Sequence, residues 1–102
     1  MRKYKRIVVI EDGVYEHITF GFDPLKLPRF GQIPDMWERT ISIYSAGKLF
    51  SATGTRVGWC IGAAPLVKAV MAVHQYNSFC MYGPLQEAVG EALEEANSSD
   101  YY

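Results

Sequence analysis

Four consecutive β-branched apolar residues, Ile7-Val8-Val9-Ile10, stop abruptly at Glu11-Asp12-Gly13. A short continuous run of this kind reads as a strand buried on both faces. The acid then sits at the strand's carboxyl end, the edge at which open α/β sheets place their ligand crevice. Asp12 is therefore a candidate site residue, with Tyr15 within reach. An Asp before Gly also serves as a turn or helix-capping residue, and Tyr15 taken alone also fits a core or interface position.

The rest of the chain supplies partners for that strand. Gly21 to Asp35 carries three prolines and two glycines and reads as a long surface loop that covers a site, meets a partner or simply connects. Met36-Trp37-Glu38-Arg39 is a short helical turn. Thr40-Ile41-Ser42-Ile43-Tyr44 alternates as a strand does, and Val57-Gly58-Trp59-Cys60-Ile61 reads as a third strand whose glycines admit a close backbone neighbour. Ala64-Pro65 opens a helix with an apolar stripe at Leu66, Val67, Val70, Val73 and Tyr76, leaving Lys68, His74 and Gln75 on other faces. Pro84 opens another, with Leu85, Ala88, Val89, Ala92, Leu93 and Ala96 on one stripe and Glu87, Glu91, Glu94 and Glu95 outside it, ending at Asn97-Ser98-Ser99-Asp100. Three strands and two or three helices are too few to cover such a sheet on both faces, so the chain reads as one partial domain, residues 1–102, of something larger.

The second strand delivers Ser45-Ala46-Gly47-Lys48. Lys48 stands among small residues, with Ser45 three places before it and Arg56 eight places after it. Such neighbours let backbone approach a ligand, and Ser45 and Arg56 can converge on one anion from either side of Lys48. A half-buried lysine is also readily tuned toward a nucleophile. A glycine-rich loop with a solvated lysine and a surface arginine accounts for the spacing equally well. A nucleotide-binding phosphate loop does not: Leu49 occupies the place of the magnesium-binding Ser or Thr, and no glycine stands five residues before Gly47.

Composition narrows the classes further. Half the residues are apolar (49%), as in a packed chain, and a net charge of −1 provides no field for nucleic acid or anionic membranes. The basic start, Arg2, Lys3, Lys5 and Arg6, reads as a solvated approach to the first strand. Ile7–Ile10 is too short for a signal peptide, and no apolar stretch reaches membrane-spanning length. Cys60 and Cys80, like His17 and His74, have no metal-ligand spacing; no metal is expected, and a reducing cytoplasm is the default compartment.

The motifs taken together resemble the class I pyridoxal-phosphate-dependent aminotransferases, in particular the kynurenine aminotransferase and cysteine-S-conjugate β-lyase group. Glu11 to Tyr15, Met36 to Thr40, Ser45 to Lys48, Phe50 to Gly54, Val57-Gly58-Trp59 and His74-Gln75 fall in matching order, so that the likeness runs from about Ile7 to Ala96. It implies an α/β fold, part of the large domain of a fold-type I enzyme, with a mixed, mostly parallel sheet and packing helices. The strands ending at Asp12 and Ser45 would run parallel, and the strand through Trp59 antiparallel to them. The upstream half of that sheet and the small domain would be absent.

The resemblance also implies roles. Lys48 would hold pyridoxal 5'-phosphate as a Schiff base and, once displaced by the substrate, carry the proton between the substrate's α-carbon and the cofactor's C4′ carbon. Asp12 would keep the cofactor's ring nitrogen protonated, and Tyr15 would donate a hydrogen bond to its phenolic oxygen. Ser45 and Arg56 would bind its phosphate. Phe79 matches an aromatic that reaches across a dimer toward the other subunit's substrate site, implying a homodimer for the full-length parent. The implied reaction is amino-group transfer between an amino acid and a 2-oxo acid, with β-elimination as the alternative and a catalytically incompetent fragment, binding only cofactor or a partner chain, as a third reading. Cys80 stands where the nearest relatives have histidine, Thr55 replaces a tryptophan, Gly13 replaces an acid and the loop before Trp37 differs in length; substrate preference therefore does not carry over.

Overall fold

The computed structural model describes residues 3–98 and 101. Three strands, β1 (Val9–Asp12), β2 (Thr40–Ser45) and β3 (Gly58–Gly62), form one mixed sheet in that order. β1 runs parallel to β2, Val9 facing Thr40 and Asp12 facing Ile43. β3 runs antiparallel to β2, Ile41 facing Gly62 and Ser45 facing Gly58. Both directions agree with those the resemblance implies. The helices are α1 (Ala46–Leu49), α2 (Ala64–Asn77) and α3 (Gly83–Ser98).

Glycine makes the β2–β3 pairing possible. A Cβ on Gly58 would lie 2.8 Å from the Tyr44 carbonyl oxygen, and one on Gly62 2.7 Å from that of Thr40. Proline marks both long helices at their second residue, Pro65 and Pro84, where its fixed φ suits the first turn.

β1 sits two residues later than the apolar run, because its limits follow its partner: pairing begins where Val9 meets Thr40. Burial on both faces is not found. Val9 is buried, but Ile7, Val8 and Ile10 are exposed, Ile10 to 69%. The reason is coverage: α2 lies against β3 and β2, and Ile10 on β1 and Ile43 on β2, on one face of the sheet, are both left open. Helix α2 shows the same economy. Leu66 and Val67 are partly buried, whereas Val70, Val73 and Tyr76, expected on the same stripe, are exposed.

The main core lies where α3 meets the β2–α1 junction. Ala46, Val57 and Val89 are buried together, with Phe50, Trp59, Met81, Leu85 and Leu93 packed around them, and Trp59 stacks on Tyr44 with centroids 6.0 Å apart. Full burial of a valine such as Val89 is worth about 1.5–3 kcal/mol. On the expected α3 stripe Ala88 alone is exposed. The radius of gyration, 15.1 Å, exceeds the ~13 Å of a compact domain this long, and the thinnest dimension is 20 Å.

The expected loop over 21–35 contains two short 3-10 turns, Pro24–Lys26 and Phe30–Gln32, and a third follows at Trp37–Arg39. Met36 is only 2% exposed; its carbonyl accepts the Thr40 hydroxyl at 2.7 Å. Of the basic start, Lys3, Lys5 and Arg6 are exposed, and Arg2 lies outside the described residues. So do Ser99 and Asp100, beyond the end of α3 at Ser98. Among the described residues no helix is long and apolar enough to cross a membrane, and no group of His, Cys, Asp or Glu is placed to hold a metal ion.

Candidate active site

The chain turns from β2 directly into α1, and this turn builds the site. Ser45 precedes the first residue of α1 in an extended conformation, but its hydroxyl makes no capping bond to the helix. It is left for another partner. Gly47 is the tightest point: a Cβ there would lie 2.9 Å from Thr53 Cα and 3.2 Å from the Ala52 carbonyl oxygen. Only glycine lets α1 and the 52–53 backbone touch, a contact closed by the Ala52 amide donating to the Gly47 carbonyl at 2.9 Å. The 3-10 turn Thr53–Thr55 follows, and the chain leaves it through Arg56 at φ 56°, a left-handed conformation unusual for a residue with a Cβ. The Ala46 amide then donates to the Val57 carbonyl at 3.1 Å, which fixes both ends of the loop.

The result is a cavity of about 210 Å³ lined by Ser45, Gly47, Lys48, Thr53, Arg56 and Gly58 among others. Complete small-molecule pockets span roughly 300–1,000 Å³, so this is a part-site. Three of the residues expected from the sequence, Ser45, Lys48 and Arg56, line it together. Among the described residues neither Lys48 nor Arg56 is paired with a carboxylate, so two uncompensated cations and a hydroxyl surround one cavity. Lys48 is exposed; the half-burial considered from the sequence is not found, because α1 is a single turn at the rim of the sheet and Lys48 lies on its outer side.

Tyr15 and Asp12 approach from β1. The Tyr15 ring centre lies 5.6 Å from Lys48 Nζ, within cation–π range. Asp12 is exposed at the end of β1, opposite Ile43, and the next amide, Gly13, donates to the Ile43 carbonyl at 2.9 Å. Neither Asp12 nor Tyr15 lines the cavity itself; Ile43, which faces Asp12 across the ladder, is part of its wall. Asp12 caps no helix, because the residues directly after it form a turn and the next helical element begins at Pro24.

Phe79 stands apart. It follows α2 at φ 60°, is 77% exposed, and borders a second hollow with Lys68, Met71, His74, Gln75 and Cys80. Cys60 and Cys80 are both free thiols. Two features escaped the sequence reading. Thr53 lines the cavity, its only sequence signal being its place in the small-residue run 51–54. Glu11 accepts hydrogen bonds from the Ser42 hydroxyl and the Phe30 amide, which no local pattern announces.

The residues present suit a phosphate ester carrying an aldehyde: a cradle that a Cβ would fill, a guanidinium, a free hydroxyl and an accessible amine. Comparison with known proteins agrees. The family described as aminotransferase class I and II matches residues 1–101. Kynurenine–oxoglutarate transaminase of Dictyostelium discoideum is 52% identical over 94 residues, which cover 92% of this chain and 21% of that protein. Among solved structures, N-succinyldiaminopimelate aminotransferase from Mycobacterium tuberculosis superposes with a TM-score of 0.81 at 41% identity, covering 89% of this chain and 23% of its own. YbdL from Escherichia coli, for which a methionine aminotransferase function was identified, gives 0.78 at 36%, covering 86% and 23%. The chain spans about a fifth of the length of the curated relatives it matches. On this likeness, which extends from the strand carrying Asp12 through the lysine turn to α3, the chain belongs to the class I and II aminotransferases, a family of pyridoxal-phosphate-dependent enzymes of fold type I.

Proposed function

We propose that the cavity at the end of β2 is the phosphate-binding and attachment half of a pyridoxal-phosphate site, and that the complete protein transfers an amino group between an amino acid and a 2-oxo acid. The observation that carries this reading is the convergence of Lys48, Arg56 and the Ser45 hydroxyl on one cavity, with no carboxylate among the described residues on either cation. A dianionic phosphate meets two charges and a donor there.

The chain's own residues divide the work. Arg56 and Ser45 hold the phosphate, Arg56 with a fork of donors and Ser45 with the hydroxyl left out of the α1 cap. Lys48 would offer its amine for covalent attachment, and, freed when the substrate's amino group takes its place, the same amine would move the proton from the substrate's α-carbon to the cofactor's C4′ carbon. Asp12 keeps a proton on the ring nitrogen by supplying a fixed negative charge at the rim. Tyr15 holds the Lys48 amine over its ring face, and its hydroxyl would donate a hydrogen bond to the cofactor's phenolic oxygen. The cofactor, when bound, supplies an electron-accepting ring that stabilises negative charge at the α-carbon. Lys48 and Arg56 are both exposed, so water reaches the site, and the 102-residue chain by itself holds the cofactor without appreciable turnover. Phe79, on a separate surface, serves subunit contact in a homodimer of the complete protein. The free thiols of Cys60 and Cys80 suit a reducing compartment such as the cytoplasm.

The test is chemical. The chain is mixed with pyridoxal phosphate, reduced with borohydride and digested, and the pyridoxyl group is located by mass spectrometry. Labelling concentrated on Lys48, suppressed by inorganic phosphate and absent from Lys48→Ala, is the expected result. Equal labelling of Lys3, Lys5, Lys26 and Lys68 overturns the reading.

A further inference from the structure

The segment carrying Asp12 and Tyr15 is held at both ends by two consecutive residues of a distant loop. Glu11, the residue before Asp12, accepts the Phe30 amide at 3.1 Å on one carboxylate oxygen and the Ser42 hydroxyl on the other. Glu16, the residue after Tyr15, accepts Arg29 Nη2 at 2.9 Å. This ion pair is well shielded, its side chains being 25% and 20% exposed. The loop is stiff where it makes these bonds: the Arg29 amide donates to Gln32 Oε1 at 3.1 Å and the Gln32 amide to the Arg29 carbonyl at 3.0 Å. The turn Phe30–Gln32 itself rests on β2 and on the 3-10 turn at Trp37–Arg39.

We infer that Arg29 and Phe30 clamp the Glu11–Glu16 segment onto the sheet and thereby fix where Asp12 and Tyr15 stand, which makes Arg29 a positioning residue of the cofactor site. The physical need is plain. Among the described residues Asp12 is the last residue of an edge strand, and beyond Gly13 no ladder constrains the segment; without the clamp it is tethered on one side only. An ion pair shielded to this degree is worth more than an exposed one, and one hydrogen bond to a carboxylate adds to it. The length of the loop is thereby explained, since it spans from the end of this segment to β2 and returns two donors to it.

The inference rests on the site reading above for its purpose, but not for its test. Amide exchange is measured on the full chain without cofactor. Gly13, which donates to Ile43, and Ile18, which donates to Tyr15 at 3.0 Å, report the clamped segment; Ala46 and Ala52, which bond within the lysine turn, report the rest. Arg29→Ala is expected to speed exchange at Gly13 and Ile18 by about fivefold or more, with Ala46 and Ala52 unchanged. Glu16→Gln, which keeps the side-chain shape, gives a smaller rise at the same two amides and decides the matter if Arg29→Ala fails to fold. Arg29→Glu combined with Glu16→Arg restores the original rates. No rise at Gly13 and Ile18, or an equal rise at all four amides in Glu16→Gln, overturns the clamp.

With pyridoxal phosphate added, Arg29→Ala retains labelling at Lys48 but shifts the near-visible absorbance of the bound cofactor, since Asp12 and Tyr15 no longer stand beside it. An unshifted band in a chain whose Gly13 is deprotected removes the positioning role. If Lys48 is not labelled even in the unaltered chain while Arg29→Ala still frees Gly13 and Ile18, the clamp stands and the site reading falls.

Discussion

Lys48 Nζ lies 5.6 Å from the centre of the Tyr15 ring, so the amine proposed to carry the cofactor is already oriented by the residue proposed to tune it. Such contacts at exposed positions are worth about 0.5–1 kcal/mol. Tyr15→Phe keeps the ring and Tyr15→Ala removes it. Borohydride-trapped labelling of Lys48 is therefore expected to be near normal in extent with Phe and about two- to fivefold slower with Ala. Equal labelling rates in all three chains argue that the ring does not orient the amine.

Arg56 separates the interests of fold and function. Its φ of 56° is strained for any residue bearing a Cβ, and its side chain makes a long contact, 3.4 Å, to the Thr53 carbonyl. Arg56→Gly relieves the backbone and is expected to leave stability within about 1 kcal/mol of the original, or slightly above it, in urea unfolding. The same change weakens pyridoxal phosphate binding about tenfold or more, by loss of a charge-assisted phosphate contact. A chain that is both unstable and competent to bind sinks the assignment.

Two glycines in the lysine turn make opposite predictions. Gly47→Ala drives a Cβ into the 52–53 backbone, at 2.9 Å from Thr53 Cα, whereas at Gly54 nothing lies within 4 Å. The first substitution should cost about 1–3 kcal/mol and loosen the cavity. The second should be close to neutral. Denaturant midpoints for the two variants, read beside Lys48 labelling, decide whether the close approach at Gly47 is what shapes the site.

Phe79 is predicted to be silent in cofactor attachment. It borders a different hollow from Lys48, so Phe79→Ala should label at Lys48 as the unaltered chain does. Its effect should fall on self-association of the complete protein, measured by sedimentation. A loss of Lys48 labelling places Phe79 in the wrong role.

What could be read from the sequence was what short-range chemistry decides. Pro65 and Pro84 announced two helices to within a residue, and glycines 58 and 62 marked a strand lying against close backbone. Ser45, Lys48 and Arg56 could be grouped because one strand-turn-loop holds all three. The first strand was misplaced by two residues because its limits come from β2, some thirty residues away, and its apolar run is left half uncovered. Long range explains the other omissions too: Glu11 and Arg29 lie nineteen and thirteen positions from their partners Phe30 and Glu16. The directions of the strands came from family likeness, since hydrophobic pattern does not distinguish parallel from antiparallel pairing.

The sheet joins two kinds of pairing on either side of β2, and this sets an order of assembly. Ile43 meets Cys60 seventeen residues downstream but Asp12 thirty-one residues upstream, and the shorter loop closes at lower entropic cost and faster. The half that gathers Ser45, Lys48 and Arg56 can therefore form before β1 is docked. In a growing polypeptide, β1 leaves the ribosome before β2 and waits, its Ile10 uncovered, for a partner that is made later. Asp12, at the end of β1, is thus seated after the half that holds Lys48, and the interval before it docks is when this part of the chain is most open to chaperones.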